Sequence, residues 1–246
     1  SFFSNQPENN KEGTTNRANF NLSGPLAGEA LTMRLYGNIN KTEPDAWDIN
    51  HAQNGSYAAG REGVRNKDIN ALLSWKMTPQ QILDFSYAYS RQGNIYAGDT
   101  QYSNGNLSPN GLVDSLYGHE TNRLYRQSWG LTYNGLWDWG QSKAGVYYEK
   151  TNNTRLQEGS TGRVEGMINS EDYATSRLES WRTTSEFNVP FFWLADQTLT
   201  LGMEWNHDQL DDPASMQATN SNGETIPGTS GDPTQRSTKN SATLTG

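Results

Sequence analysis

Apolar side chains recur at every second position in eight separate stretches of this chain. A period of two is the period of a β-strand, whose side chains alternate between the two faces of a sheet. Leu31, Met33, Leu35, Gly37 and Ile39 share one face, opposed by Thr32, Arg34, Tyr36, Asn38 and Asn40. The same rhythm runs through Ala18, Phe20 and Leu22, through Ile69, Ala71, Leu73 and Trp75, and through Leu83, Phe85, Tyr87 and Tyr89. It returns in Trp129, Leu131 and Tyr133, in Ala144, Val146 and Tyr148, and in Leu199, Leu201, Met203 and Trp205, with a weaker stripe from Trp181 to Val189.

The connectors between these stretches alternate in length. Short turns at 24–29, 78–80, 136–141 and 190–196 separate long polar segments at about 41–67, 91–121, 151–176 and 207–239. Tight turns at one end and extended loops at the other are the pattern of an outer-membrane barrel. A soluble β-sandwich also alternates, but structureless loops of more than about 12–15 residues are uncommon in compact domains. Four of them at one end do not fit a sandwich. Trp75, Trp137, Trp139, Trp193 and Trp205 stand where stripes meet turns, as in an aromatic girdle at a lipid–water boundary.

Composition agrees. Only 33% of residues are hydrophobic and the mean hydropathy is −0.88, yet the chain holds 8 Trp, 12 Tyr and 7 Phe. Disordered chains are poor in aromatics. No apolar run approaches the roughly 20 residues of a membrane helix, and strands escape that criterion. Cysteine is absent, which removes disulfides and thiol chemistry. A net charge of −8 argues against a nucleic-acid partner.

The face opposite the apolar stripes carries Arg34, Asn38, Lys76, Asp84, Glu149 and Glu204, suited to a wet lumen or a polar plug. Eight strands enclose a space only wide enough for side chains. Residues 1–3 read as the tail of a further strand and residues 241–246 as the head of another. The expectation is therefore all-β: an antiparallel transmembrane β-barrel, seen as an arc of about eight or nine strands, with residues 1–246 forming part of one barrel domain.

No catalytic constellation is present. His51, His119 and His207 lie in three different connectors, and Asp208, Asp211 and Asp212 lack the spacing of a calcium loop, so no metal site is expected. The long connectors instead mix Arg with Tyr: Arg61, Tyr96, Tyr117, Arg123, Arg126, Arg155 and Tyr173 are among them. Guanidinium groups pair with anionic oxygens and, like aromatic faces, stack on rings, so the combination fits two readings equally, a mouth for an anionic aromatic ligand or ordinary solvated loop residues.

Several segments resemble the bacterial ferric enterobactin receptors. They are Asp45-Ala46-Trp47-Asp48-Ile49-Asn50, Arg61-Glu62-Gly63, Ala97-Gly98-Asp99-Thr100, Glu120-Thr121-Asn122-Arg123-Leu124-Tyr125-Arg126-Gln127, Leu35-Tyr36-Gly37-Asn38 and Gln197-Thr198-Leu199-Thr200-Leu201-Gly202. The likeness runs in order over nearly the whole chain and weakens in 102–116 and 209–235. It implies a TonB-dependent outer-membrane transporter: a 22-stranded barrel filled by a plug, with the plug lying outside this chain. It also implies a Gram-negative outer membrane, contact with lipid and lipopolysaccharide, TonB reached through the plug, and iron carried inside a siderophore rather than by a cofactor of the protein.

By position, the resemblance makes Tyr96, Arg123, Arg126, Arg155 and Glu158 contacts of a ferric catecholate siderophore. An aromatic residue expected late in the Arg155 connector is Ile168 here. Arg123 and Arg126 are three apart, so a regular strand sends them to opposite faces; one site takes both only if the strand bulges or frays. The alternative classes are a passive porin and a barrel serving as a bacteriocin or phage receptor.

Overall fold

The structure is a computed structural model that describes residues 1–50, 60–97, 117–158, 168–211 and 236–245. Side chains are described within those ranges except at 156–158, 168–172, 174 and 236–245. The described residues form one ten-stranded sheet in strict sequence order, every neighbouring pair antiparallel. The strands are β1 (Phe2–Asn5), β2 (Thr15–Ala27), β3 (Leu31–Thr42), β4 (Gly63–Thr78), β5 (Gln81–Ile95), β6 (Glu120–Trp137), β7 (Gly140–Glu158), β8 (Ile168–Trp193), β9 (Ala195–Asp211) and β10 (Arg236–Thr245). All eight expected strands are present, and both terminal segments pair as strands.

The ladder carries the apolar stripes across the sheet in register. Leu22 faces Leu35, Leu35 faces Ala71, Ala71 faces Tyr87, Tyr87 faces Trp129, Trp129 faces Tyr148 and Tyr148 faces Trp181. A second row runs Met33, Leu73, Phe85, Leu131 and Val146. These side chains meet no second layer. Met203 is 60% exposed, Ile39, Leu22, Leu131 and Leu201 are exposed as well, and the buried apolar residues among those described are Ile95, Tyr96 and Ala97 alone. A soluble sandwich would bury this face against another sheet. Here the apolar surface is outward, as a lipid-facing wall requires.

Two aromatic rows bound that wall. At the turn end Trp137 stacks on Trp139 with centroids 6.2 Å apart, and Trp139 reaches Phe187 at 6.3 Å. Eight residues up β6, Trp129 packs edge-on to Tyr148 at 6.2 Å, and Tyr148 contacts Trp181 at 4.7 Å. At about 3.4 Å per residue and a tilt near 40°, eight residues span roughly 20 Å, close to the ~25 Å band of such barrels. Trp205 departs from its expected place. It faces Thr183, two residues inside the Trp181 row, and stacks on His207 within the wall.

The turns are tight. Pro79–Gln80 joins β4 to β5, Asp138–Trp139 joins β6 to β7, and Leu194 alone joins β8 to β9. Gly140 sits at φ +148°, where a Cβ would lie 2.1 Å from the Asn188 carbonyl oxygen. Leu194 adopts φ +63°, a left-handed conformation that costs an L-residue about 1–2 kcal/mol. Leu194→Gly should therefore raise the temperature at which the protein loses its folded mobility in detergent gels, while Gly140→Ala should lower it. A Leu194→Gly protein that melts earlier than wild type would contradict this account of the turn.

Candidate ligand-binding site

The strands run well past the membrane band at the long-connector end. A spanning strand needs about 9–11 residues, whereas β4 to β9 have 15 to 26. Arg123, Arg126, Arg155 and Tyr173, read as connector residues, thus stand on β6, β7 and β8. The cause is chemical. Above the lipid both faces of a strand are wetted, so the apolar alternation that marks a strand disappears while the backbone ladder continues.

Position in the ladder decides what each candidate faces. Arg126 opposes Ser90 and Thr151 and shares the polar face with Glu149, whose carboxylate accepts a hydrogen bond from its guanidinium at 2.5 Å. Arg155 opposes Asn122, on the same polar side. Lower on this face lies a trough of about 950 Å³, lined chiefly by polar residues that include Ser128, Tyr147, Glu149, Arg182 and Glu204. Arg182 donates to Glu204 at 2.7 Å. Glu158 ends β7 opposite Ile168, and its side chain lies outside the described residues.

Arg123 points the other way. The β5–β6 ladder does contain a bulge, but it falls at Thr121: Asn94 opposes Asn122 and Ile95 opposes Glu120. From Asn122 to Arg126 the strand is regular, so Arg123 and Arg126 leave on opposite faces. The bulge instead rotates Glu120 onto the face of Arg123. There Glu120, only 11% exposed, sits within 3.4 Å of Arg65 and 3.6 Å of Arg123 and forms its closest pair with Arg91. Tyr125 and Tyr173 complete the group. Arg91 lies over the Tyr125 ring and Arg123 lies 5.2 Å above the Tyr173 ring, whose hydroxyl donates to the Glu120 carbonyl.

Tyr96 and Tyr117 belong to a third arrangement, at the roots of the connectors. The Tyr96 amide donates to the His119 carbonyl, the Gly118 amide donates to the Tyr96 carbonyl, and Tyr96 as a residue is 4% exposed. Tyr117 donates its hydroxyl to the Asp45 carbonyl at 2.6 Å. Asp45, itself buried, accepts from the amides of Gly13 at 2.9 Å and Arg61 at 2.8 Å. One residue thus ties three connectors together, the β1–β2 and β3–β4 connectors through its carboxylate and the β5–β6 connector through its backbone carbonyl. Gly13 is required there, because a Cβ would overlap the Glu43 carbonyl oxygen. Burial pushes the Tyr117 hydroxyl above its ordinary pKa, helped by the charges of Asp45 and Asp48. Burial also raises Glu62, against a hydrogen bond from Asn94 that lowers it. Lys11 holds Asp48 below the usual carboxylate range through a 2.9 Å hydrogen bond.

The structure therefore brings Arg126 and Arg155 to one face, sets Arg123 on the other, and buries Tyr96 among the connector roots. Asp45 and Glu120 organise two of these groups, and the sequence carried only faint signals of them. Asp45 follows Glu43-Pro44 at the end of a strand stripe; Glu120 immediately precedes an Arg- and Tyr-rich strand. Among the described residues no group of His, Asp and Glu is arranged to hold a metal. His51 and Asp212 lie outside the described residues, while Asp208 and Asp211 of β9 fall on opposite faces.

A sequential antiparallel sheet with an outward apolar face, two aromatic rows and strands overshooting one membrane boundary is the wall of an outer-membrane β-barrel. No protein-family model matches the chain. The ferric enterobactin receptor PirA of Pseudomonas aeruginosa is 49% identical over 231 residues, covering 92% of this chain and 31% of that receptor. The crystal structure of the siderophore receptor PirA from Acinetobacter baumannii matches with a TM-score of 0.82 at 46% identity, over 99% of this chain and 34% of that one. A variant of the Pseudomonas aeruginosa ferric enterobactin receptor, solved in complex with enterobactin, matches at 0.81 and 44%, over 99% and 36%. The chain is similar over nearly its whole length to ferric enterobactin and siderophore receptors, and it spans about a third of the length of these relatives.

The Asp45 tie yields a direct test. Hydrogen bonds to a charged group are worth about 1.5–3 kcal/mol each. Asp45→Ala should speed amide hydrogen exchange at Gly13 and Arg61 by about tenfold or more, and leave the ladder at Leu131 and Val146 unchanged. Unaltered exchange at both amides would remove Asp45 from this role.

Proposed function

We propose that the intact receptor captures a ferric catecholate siderophore at the long-connector end of this wall and passes it through the barrel. The plug and its coupling to TonB, in the outer membrane of a Gram-negative bacterium, would complete the import. The observation that carries the reading is the pair Arg126 and Arg155, on neighbouring strands and on the lumen face above the trough. A ferric tris-catecholate is anionic and presents flat rings, and charge-assisted hydrogen bonds from Arg are roughly twice as strong as neutral ones. A cationic mouth also raises the local concentration of an anion. The complex of a relative with enterobactin supports the ligand class.

Tyr117 and Tyr96 enter the proposal as residues that shape the connector roots, and Glu158 as a neighbour of Arg155 along β7. Arg123 enters it by resemblance alone, because its strand position turns it outward. The test is affinity for ferric enterobactin in the intact receptor at fixed salt. Arg126→Ala combined with Arg155→Ala should weaken binding tenfold or more, since two charge-assisted contacts contribute about 1.5–3 kcal/mol each. Arg123→Ala alone should weaken it less. Wild-type affinity in the double variant would end the assignment of Arg126 and Arg155.

A further inference from the structure

Above the outer aromatic row, the lumen face of β3, β4 and β5 carries Asn38, Asn40, Asp68, Ser90 and Gln92. On β6, β8 and β9 three leucines interrupt this polar surface. Leu178 opposes Leu210 across the β8–β9 ladder, and each is 40% exposed. Leu124 of β6 lies two residues from Arg126 on the same face and opposes Asn153, two residues from Arg155. Their direction follows from parity. Trp129, Trp181 and Trp205 hold odd positions on the lipid side, the leucines hold even ones, and no bulge interrupts the register between them.

Apolar side chains scattered singly on a wet surface need no explanation, but a group of them does. These three surround one cation. Thr151 opposes Arg126 on one side and Leu178 on the other. At ~4.8 Å per strand, Leu178 therefore stands about 10 Å from Arg126 along the sheet, and Leu210 about 14 Å. The 2.5 Å hydrogen bond to Glu149 of β7 draws the Arg126 guanidinium toward the leucine side. Leu178 lies three residues beyond Trp181. At about 3.4 Å per residue and a tilt near 40°, that step is roughly 8 Å, which sets the pair above the hydrocarbon band. The polar trough opens directly beneath, because Ser180 and Asp208, two residues below Leu178 and Leu210, line it. The leucine pair is thus an apolar rim on a polar concavity, beside an arginine.

We infer that Leu178 and Leu210, with Leu124, form an apolar step that takes the ring face of the catecholate while Arg126 and Arg155 hold its oxygens. A rim that met only water or small ions would gain nothing from leucine. A catecholate has both chemistries within one molecule: anionic oxygens on one edge of each ring and an apolar face and opposite edge. Covering that apolar part removes it from water, and so adds affinity that does not depend on charge. Leu124 serves the space between the two arginines, and the Leu178–Leu210 pair serves the space beyond Thr151. The inference rests on the siderophore reading above and deepens it, by assigning ring contacts to strand residues of the wall.

The experiment measures ferric enterobactin affinity of the intact receptor in detergent at low and at high salt. Leu178→Asn with Leu210→Asn should bind about tenfold more weakly at both salts, so that the salt dependence stays that of wild type. Leu178→Met with Leu210→Met, which keeps an apolar surface, should bind like wild type. The Arg126→Ala and Arg155→Ala variant should behave differently, with a shallower salt dependence. Folded gel mobility shows that each barrel has formed, and Leu210→Asn alone, weaker by about threefold, carries the test if the double variant does not fold. Wild-type affinity in the asparagine variants would overturn the inference and leave the arginine assignment standing. Equal weakening by the methionine and asparagine pairs would overturn it too, since apolarity would then not be what matters. Failure of wild type itself to bind ferric enterobactin would remove the siderophore reading, and this inference with it.

Discussion

The backbone ladder is the constraint on which everything else in this molecule depends. In hydrocarbon an unpaired N–H or C=O costs several kcal/mol, so a spanning chain must hydrogen-bond every residue to a neighbour. Ten antiparallel strands in sequence order do this with the shortest connections possible. Once the ladder is in place, alternation follows without further choice. Each strand shows one row of side chains to lipid and one to the interior, and cross-strand register aligns the rows into a continuous apolar band.

The same ladder organises the functional end. Because β4 to β9 continue past the lipid boundary, the arginines above it are held on paired backbone. Their directions are then set by parity. Arg126 and Arg155 go to the lumen; Arg65, Arg91 and Arg123 go outward. A single extra residue at Thr121 turns Glu120 to the outward side, where it gathers three guanidinium groups around one carboxylate. Asp45 plays a comparable part among the connector roots, fastening three of them through backbone amides and its own carbonyl. Both residues are acids beside an excess of Arg and Lys, and both act by positioning their neighbours.

This division sets local positive surfaces on the two faces of the sheet. One strand, β6, contributes to both, through residues three apart. Charge on the chain as a whole is negative, so the positive surfaces are local and separated by the thickness of the sheet.

The sequence by itself determined the sheet, its lipid-facing side, and the alternation of short turns and long connectors. These are properties of a period-two pattern and of composition, and both are readable wherever one face is apolar. It did not determine where strands end above the membrane, because a strand wetted on both sides carries no hydropathy contrast. Nor did it determine that Glu120 joins Arg65, Arg91 and Arg123, that Tyr96 is buried, or that Trp205 lies inside the girdle. Each of these depends on register, and a one-residue shift in register exchanges the faces of every residue beyond it. Only the paired backbone of neighbouring strands fixes that shift.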